Sequence, residues 1–275
     1  FVPFTFVVLS RLGADVRRAL LVPVVCMQTI AANLGSMLTP IGNPQNLYLY
    51  GKSGMSIGGF VLLILPYTLV SLLLLLAWAA LVCRKASAAL SVDELVSSSA
   101  SQGDRKIILL YLVLFAVCLL SVIRVLPYGI AFAAVLVCAL FADPRTLRTV
   151  DYSLLLTFVA FFIFIGNLGR IPAFSGWLQE FLTGREVLVA VLASQVTSNV
   201  PAALLLSGFT AETQALIIGT NLGGLGTLIA SMASLISYRQ IARELPQGKK
   251  QYFGLFTLSN LIFLALLLGV WFLLR

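Results

Sequence analysis

Uncharged polar residues and glycines gather at three places inside otherwise apolar sequence, 33–46, 197–199 and 221–231, and they are the main candidates for chemistry. Most of them carry a hydroxyl or a carboxamide, and the others are glycines, which expose backbone: Asn33, Gly35, Ser36, Thr39, Gly42, Asn43, Asn46, Thr197, Ser198, Asn199, Asn221, Gly223, Gly226, Thr227 and Ser231. Such groups offer oxygen atoms to cations and N–H or O–H donors to anions. We therefore predict that they bind a substrate or an ion without reacting covalently.

The first and third clusters share a spacing. Residues 31–47 align with residues 219–235 at a shift of 188, with six identities in seventeen positions. The identical pairs are Asn33 and Asn221, Leu34 and Leu222, Gly35 and Gly223, Thr39 and Thr227, Ile41 and Ile229, and Leu47 and Leu235. Just upstream, Val2-Pro3 match Val200-Pro201 at a shift of 198. We interpret this as an internal repeat in which a hairpin arm precedes a broken helix.

Reactive residue types are scarce. The chain has no His, which excludes an imidazole base, a His metal ligand and a haem axial ligand. Its four cysteines lie far apart without a CxxC spacing, and we expect buried free thiols at Cys26, Cys83, Cys118 and Cys138. An enzyme would need a nucleophile with a base, a metal site or a cofactor motif. We predict that the chain is not an enzyme and needs no cofactor.

The composition indicates lipid as the surrounding solvent. Of the 275 residues, 60% are hydrophobic and only 10% are charged, and the mean hydropathy is +1.04. A soluble domain would need more charged residues to cover a core of this size. The net charge of +8 comes from basic residues between apolar runs, which indicates membrane topology and not binding to nucleic acid.

The apolar runs predict an all-α polytopic membrane protein. The runs of about 20 residues that a span requires are 19–49, 56–83, 107–126, 152–169, 213–237 and 251–274, of which the first and fifth are interrupted. The run 128–142 is short for a span. Residues 186–210 are apolar but broken at 197–201, so their two arms are too short to cross separately and predict a re-entrant hairpin.

The basic residues predict the orientation. Thirteen of the eighteen Lys and Arg lie in the loops 11–18, 84–106, 143–150 and 238–250. The positive-inside rule makes these loops cytoplasmic, in a protein of the plasma (inner) membrane. Segment 84–106 is the longest polar stretch and is predicted to be a linker. It separates the C-terminal part of a first repeat, 1–83, from a second repeat, 107–275.

The first break must unwind the helix. Residues 38–46 contain Pro40, Gly42 and Pro44, and the two prolines remove amide donors and clash with preceding carbonyls. Unwound backbone at membrane depth is tolerated only where it is buried in protein or lines a cavity, and paired breaks in related halves indicate a transporter's binding site. The alternative is structural: these small polar residues would pack helices closely, and the prolines would only kink them.

At these residues the chain resembles the large superfamily of ion transporters that includes divalent-anion/sodium symporters, citrate carriers, arsenite permeases and some sodium/proton antiporters. Those proteins carry a Ser-Asn-Thr hairpin tip and an unwound helix in each of two inverted repeats. Here Ser198-Asn199 match the hairpin tip, and Val200 stands where dicarboxylate carriers have Thr. Residues 35–46 look like the first unwound segment, and residues 221–234 look like the second, without its prolines.

The resemblance implies a secondary transporter for a small anion or oxyanion, which would be citrate-like, dicarboxylate-like or inorganic. Transport would be coupled to sodium or protons and would follow alternating access, with sodium near Ser198, Asn199 and Thr227. Because no charged residue lies deep in the predicted spans, sodium is favoured over a carboxylate proton relay. An arsenite-type efflux permease and a sodium/proton antiporter are the alternatives. A homodimer is an expectation from the resemblance.

The repeat also predicts what is missing. In the second repeat, a stretch of scaffold helices and a hairpin arm precede the tip, and nothing corresponding precedes Phe1. We therefore expect the chain to be an N-terminally truncated fragment of a protein of about 367 residues, with its first ion site incomplete.

Overall fold

Helices form all the regular structure in the part of the chain that the computed structural model describes, residues 2–9, 14–86 and 105–275. This confirms the predicted all-α class. The helices are α1 Val2–Leu9, α2 Ala14–Ser36, α3 Pro44–Ser53, α4 Ile57–Ala86, α5 Arg105–Val122, α6 Tyr128–Ala142, α7 Pro144–Thr149, α8 Tyr152–Leu168, α9 Pro172–Leu182, α10 Glu186–Thr197, α11 Asn199–Leu206, α12 Thr213–Leu222, α13 Met232–Glu244 and α14 Lys249–Leu274. A short 3-10 turn, Pro246–Gly248, precedes α14.

Three stretches of helix are long and apolar enough to cross a membrane within the described residues: Ala19–Ser36, Ile57–Arg84 and Pro246–Leu274. A fourth span results if α8 and α9 are counted together, although the pair is bent by 100°. The interrupted run 19–49 becomes α2 and α3. The run 213–237 becomes α12 and α13.

The described residues fall into two compact units. The first combines residues 1–90 with residues 161–275, and the second is formed within 91–160. The first unit therefore holds helices from both predicted repeats, together with every candidate site residue. Most of the predicted linker 84–106 lies outside the described residues, as do residues 11–13 of the predicted loop 11–18. The repeat boundaries and the sidedness of the loops stay predictions.

The first unit is built around α2, which packs against α1, α4, α13 and α14. Val22, Val25 and Cys26 of α2 are fully buried against Phe6 of α1 and Phe256 of α14. In lipid, such close packing contributes van der Waals contacts more than a hydrophobic driving force. The expected burial of the cysteines holds for Cys26 but is wrong for Cys83 and Cys118, whose side chains are exposed on apolar helices, and Cys138 is half-buried.

The second unit contains a polar contact between α5 and the turn before α7. The hydroxyl of Tyr111 donates to Asp143 Oδ2 over 2.9 Å, and that of Thr146 donates to the same oxygen over 2.7 Å. These hydrogen bonds favour the ionised carboxylate and lower the pKa of Asp143. The helix α7, which carries Arg145 and Arg148, occupies most of the predicted loop 143–150.

Candidate substrate and ion site

The first break lies between α2 and α3. Asn43 is the N-cap of α3, and its Oδ1 accepts a hydrogen bond of 3.1 Å from the amide of Asn46. The turn closes with a bond of 3.1 Å from the amide of Gly42 to Thr39 O. A Cβ atom at Gly42 would lie 1.7 Å from Ser36 O, so only glycine fits where the chain folds back on the end of α2.

The second break lies between α12 and α13 and forms without proline. Ser231 is the N-cap of α13 and accepts a hydrogen bond of 3.2 Å from the amide of Ser234. Gly226 has φ of +109°, a conformation that L side chains rarely adopt. A Cβ atom at Gly223 would lie 2.6 Å from Ser194 Oγ, so this segment runs close to α10.

The hairpin tip lies between α10 and α11, which pack against each other. Ser198 joins the two helices with φ of +75° and ψ of 154°, a region occupied almost only by glycine that costs another residue about 1–3 kcal/mol. Hydrogen bonds hold it there. Ser198 Oγ donates to Ala230 O over 3.3 Å, and the amide of Asn199 donates to the same oxygen over 2.9 Å. The tip is therefore docked on the second unwound segment.

Side-chain amides join the two breaks. Asn43 Nδ2 donates to Asn221 Oδ1 over 3.2 Å, and Asn221 Nδ2 donates to Asn46 Oδ1 over 2.6 Å. Asn33 Nδ2 donates to Ser231 Oγ over 2.9 Å. At the shift of 188 residues, Asn33 corresponds to Asn221 and Asn43 to Ser231. The contacts Asn33–Ser231 and Asn221–Asn43 are therefore equivalent contacts with the two aligned segments exchanged, which is the pattern expected of a two-fold relationship.

The half-helix after each break packs against the helices that precede the other break. α3 packs against α12 and α11, and α13 packs against α2 and α1. As a result, the N-terminal ends of α3, α11 and α13 converge on the joined breaks. Helix N-termini carry partial positive charge and exposed N–H groups, which attract anions. The hydrogen bonds described for this place connect carboxamides, hydroxyls and backbone atoms only.

Comparison with known proteins identifies the family. Residues 1–215 match the family described as citrate transporter. The chain belongs to the citrate transporter family. The inner membrane protein YbiR of Escherichia coli strain K12 is 34% identical over 223 residues, which are 78% of this chain and 57% of that protein. The uncharacterized transporter MJ0456 of Methanocaldococcus jannaschii is 32% identical over 215 residues, again 78% of this chain and 57% of the relative.

Membership in the citrate transporter family confirms the resemblance to the ion-transporter superfamily. The apolar helices and the inner-membrane relative confirm an integral protein of the plasma (inner) membrane. The matched region spans little more than half the length of each curated relative.

Not all candidate residues take part in the contacts that join the breaks. Gly35, Thr39 and Thr197 are exposed, and the Thr197 hydroxyl donates to Ala193 O of its own helix over 3.0 Å. Ser36 stays close to the contacts, because its hydroxyl accepts from Asn43 Nδ2 over 3.3 Å. The roles of all these residues in binding stay predictions.

Sequence reasoning missed Gln195 and Lys52. Gln195 of α10 contacts the second unwound segment through its side chain. The ammonium group of Lys52 in α3 donates a hydrogen bond to Ser207 O at the C-terminal end of α11. Tyr48 OH lies 3.0 Å from Ser207 Oγ. The sequence signal for Gln195 is that it is the only Gln within the apolar run 186–197. Lys52 is marked by neither the repeat nor a motif.

Proposed function

We propose that the chain forms the solute-binding part of a secondary transporter for a small anion or oxyanion. The convergence of three helix N-termini on the joined breaks carries this proposal. The side chains of Asn43 and Ser231 cap α3 and α13, whereas no side chain caps α11 at Ser198. An anionic group of the solute would take that place at α11. Asn199 next to it is buried and offers further donors.

The contacts described between the two breaks and the hairpin tip contain no charged side chain, and this bears on which solutes the site could bind. Helix N-termini and neutral amides attract citrate, a dicarboxylate or an inorganic oxyanion without an ion pair. The same neutral groups would also accept an uncharged oxyacid of the arsenite type. The citrate transporter family favours the first class. Transport of either solute, and not a chemical reaction, is the proposed activity.

Sodium is the proposed coupling ion, and it would bind near Ser198, Asn199 and Thr227. The Thr227 hydroxyl donates its proton to Gln195 O over 3.1 Å, and the Ser198 hydroxyl donates to Ala230 O. A hydroxyl whose proton is engaged in this way directs its lone pairs elsewhere, where a cation can use them. Within the described residues, no cluster of three His, Cys, Asp or Glu offers a site for a transition metal.

The breaks and the hairpin would move as the site opens to either side in turn, which is alternating access. Unwound segments can move in this way because side-chain hydrogen bonds, and not a continuous helix, hold them in place. Coupling to protons is the alternative, and it would need a titrating group at the site. A sodium/proton antiporter would need one as well.

A thermal-shift screen of the purified full-length protein tests the proposal. Citrate, succinate, sulfate and arsenite would each be added in sodium chloride and in potassium chloride at equal ionic strength. We expect an anion to raise the melting temperature, and to do so more in sodium, because a ligand stabilises the state that binds it. Counterflow in proteoliposomes then separates functions: saturable exchange supports a carrier, whereas hydrolysis of the solute would make the protein an enzyme and overturn the proposal.

A further inference from the structure

Gln195 ties the hairpin to three residues of the second unwound segment. Its Nε2 lies 3.0 Å from Gly223 O and 2.9 Å from Leu225 O, and its Oε1 accepts from the amide of Thr227 over 2.9 Å. Its own backbone carbonyl accepts from the Thr227 hydroxyl. A single carboxamide thus binds both donors and acceptors of backbone that has lost its helical partners.

The segment is shaped to receive this side chain. Gly226 adopts φ of +109°, and a Cβ atom there would lie 2.3 Å from Gln195 Oε1. The loop therefore closes around the carboxamide at a residue that has no side chain. A larger residue at Gly226 would collide with Gln195 in addition to straining the backbone.

In the first repeat, the unwound backbone is also hydrogen-bonded by a carboxamide, but the carboxamide comes from a different element. Leu225 corresponds to Met37, and Met37 O accepts a hydrogen bond of 3.1 Å from Asn46 Nδ2 of α3. The second-repeat counterpart of Asn46 is Ser234, whose short side chain lies 2.8 Å from Ser231 Oγ. In each unwound segment, the equivalent backbone carbonyl thus accepts a hydrogen bond from a carboxamide. In the first repeat the carboxamide belongs to Asn46 of the following half-helix, and in the second it belongs to Gln195 of the hairpin.

We propose that Gln195 is a positioning residue for the ion site, an inference that rests on the proposed function. Its carboxamide makes the hairpin tip and the segment 223–227 one body, and so fixes the Thr227 hydroxyl relative to Ser198 and Asn199. Gln195 does not itself contact the ion. Its loss therefore weakens sodium binding by leaving the oxygen ligands without a fixed arrangement.

Substitution Gln195→Met tests this, because Met has a similar length and no strong donor or acceptor. The matched control is Gln179→Met on α9, where Gln179 is exposed and bonds to Ser175 of its own helix. The melting temperature of the full-length protein is measured against sodium chloride, with potassium chloride keeping the ionic strength constant. We expect Gln195→Met to need about tenfold more sodium for a half-maximal rise, and the control to match the wild type.

A merely structural role would lower the melting temperature of Gln195→Met equally at every sodium concentration and leave the half-maximal concentration unchanged, which would overturn the inference alone. A wild type that melts at the same temperature in sodium and potassium would overturn sodium coupling and this inference together. If Gln195→Met does not fold, Gln195→Asn replaces it. The uncharged carboxamide is kept, but the side chain is one methylene group shorter than the one that reaches Gly223 O, Leu225 O and the Thr227 amide.

The Gln195→Asn protein should likewise need about tenfold more sodium for a half-maximal rise in melting temperature. A half-maximal sodium concentration equal to that of the wild type would overturn the inference.

Discussion

Asn43 and Ser231 lie 188 residues apart, and each is the N-cap of the half-helix that follows a break. Their backbone angles agree closely: Asn43 has φ −152° and ψ 159°, and Ser231 has φ −143° and ψ 151°. Each also contacts the Asn near the end of the helix that precedes the other break: Asn43 contacts Asn221, and Ser231 contacts Asn33. Each cap residue therefore has two roles, since it starts a helix and joins the two breaks.

Asn199→Ala and Thr227→Ala should each weaken solute binding strongly while leaving the fold nearly intact. Both remove a polar group from the proposed site, whereas losing a hydrogen bond that only joins helices in lipid costs about 0.6 kcal/mol. Binding and melting temperature would be measured on the same preparations. The controls are Asn167→Ala and Thr157→Ala, whose side chains bond to their own helix. Variants that melt early yet bind normally once folded would favour the structural alternative.

Solute affinity should rise with sodium concentration at constant ionic strength. If sodium and solute bind to the same state, each increases the affinity for the other by the same factor. Titration of the solute at several sodium concentrations, with potassium as the replacement, measures this coupling. Affinity that is indifferent to sodium but changes with pH would assign the coupling to protons.

Asn46→Ala and Asn221→Ala should not have additive effects. The side chains share a hydrogen bond of 2.6 Å between elements 175 residues apart, and both are buried. A double-mutant cycle on the free energy of unfolding should give a coupling of about 0.6 to 1.7 kcal/mol. A coupling near zero would mean that this contact does not stabilise the joined breaks.

Gly42→Ala should destabilise the protein by about 3 kcal/mol or prevent folding, because the added methyl group would overlap the backbone at Ser36. Gly51→Ala is the matched control. Gly51 lies within α3, and a Cβ atom there has no neighbour within 4 Å. We expect the control to be neutral or to stabilise the helix by up to about 1 kcal/mol. Equal melting temperatures for the two variants would contradict the close approach at Gly42.

Hydropathy and helix-breaking residues predicted most of the helix positions. Pro40 and Pro44 marked the first break by themselves, since proline cannot continue a helix hydrogen-bond ladder. The second break has no proline and was predictable only through its alignment with the first. Helix α9 was missed because it has only 11 residues, too few to span a membrane, and mixes polar side chains with apolar ones.

Contacts between distant residues were beyond the reach of sequence reasoning. A repeat indicates that Asn33 and Asn221 are equivalent, but it does not say that each would bond to the cap of the other repeat. Gln195 was missed for a related reason, because its partners depend on how α10 meets a segment about 30 residues away. The burial of cysteines was overestimated, since an apolar helix in lipid exposes much of its surface.

In the proposed site, the convergence of α3, α11 and α13 would separate the attraction for anions from the choice among them. Helix dipoles belong to the backbone, so single substitutions of side chains leave them in place. Residues such as Ser198, Asn199 and Val200 could therefore be exchanged during evolution without abolishing the proposed preference for negative charge. A site of this design allows related proteins to acquire new solutes through a few side-chain changes on an unaltered frame.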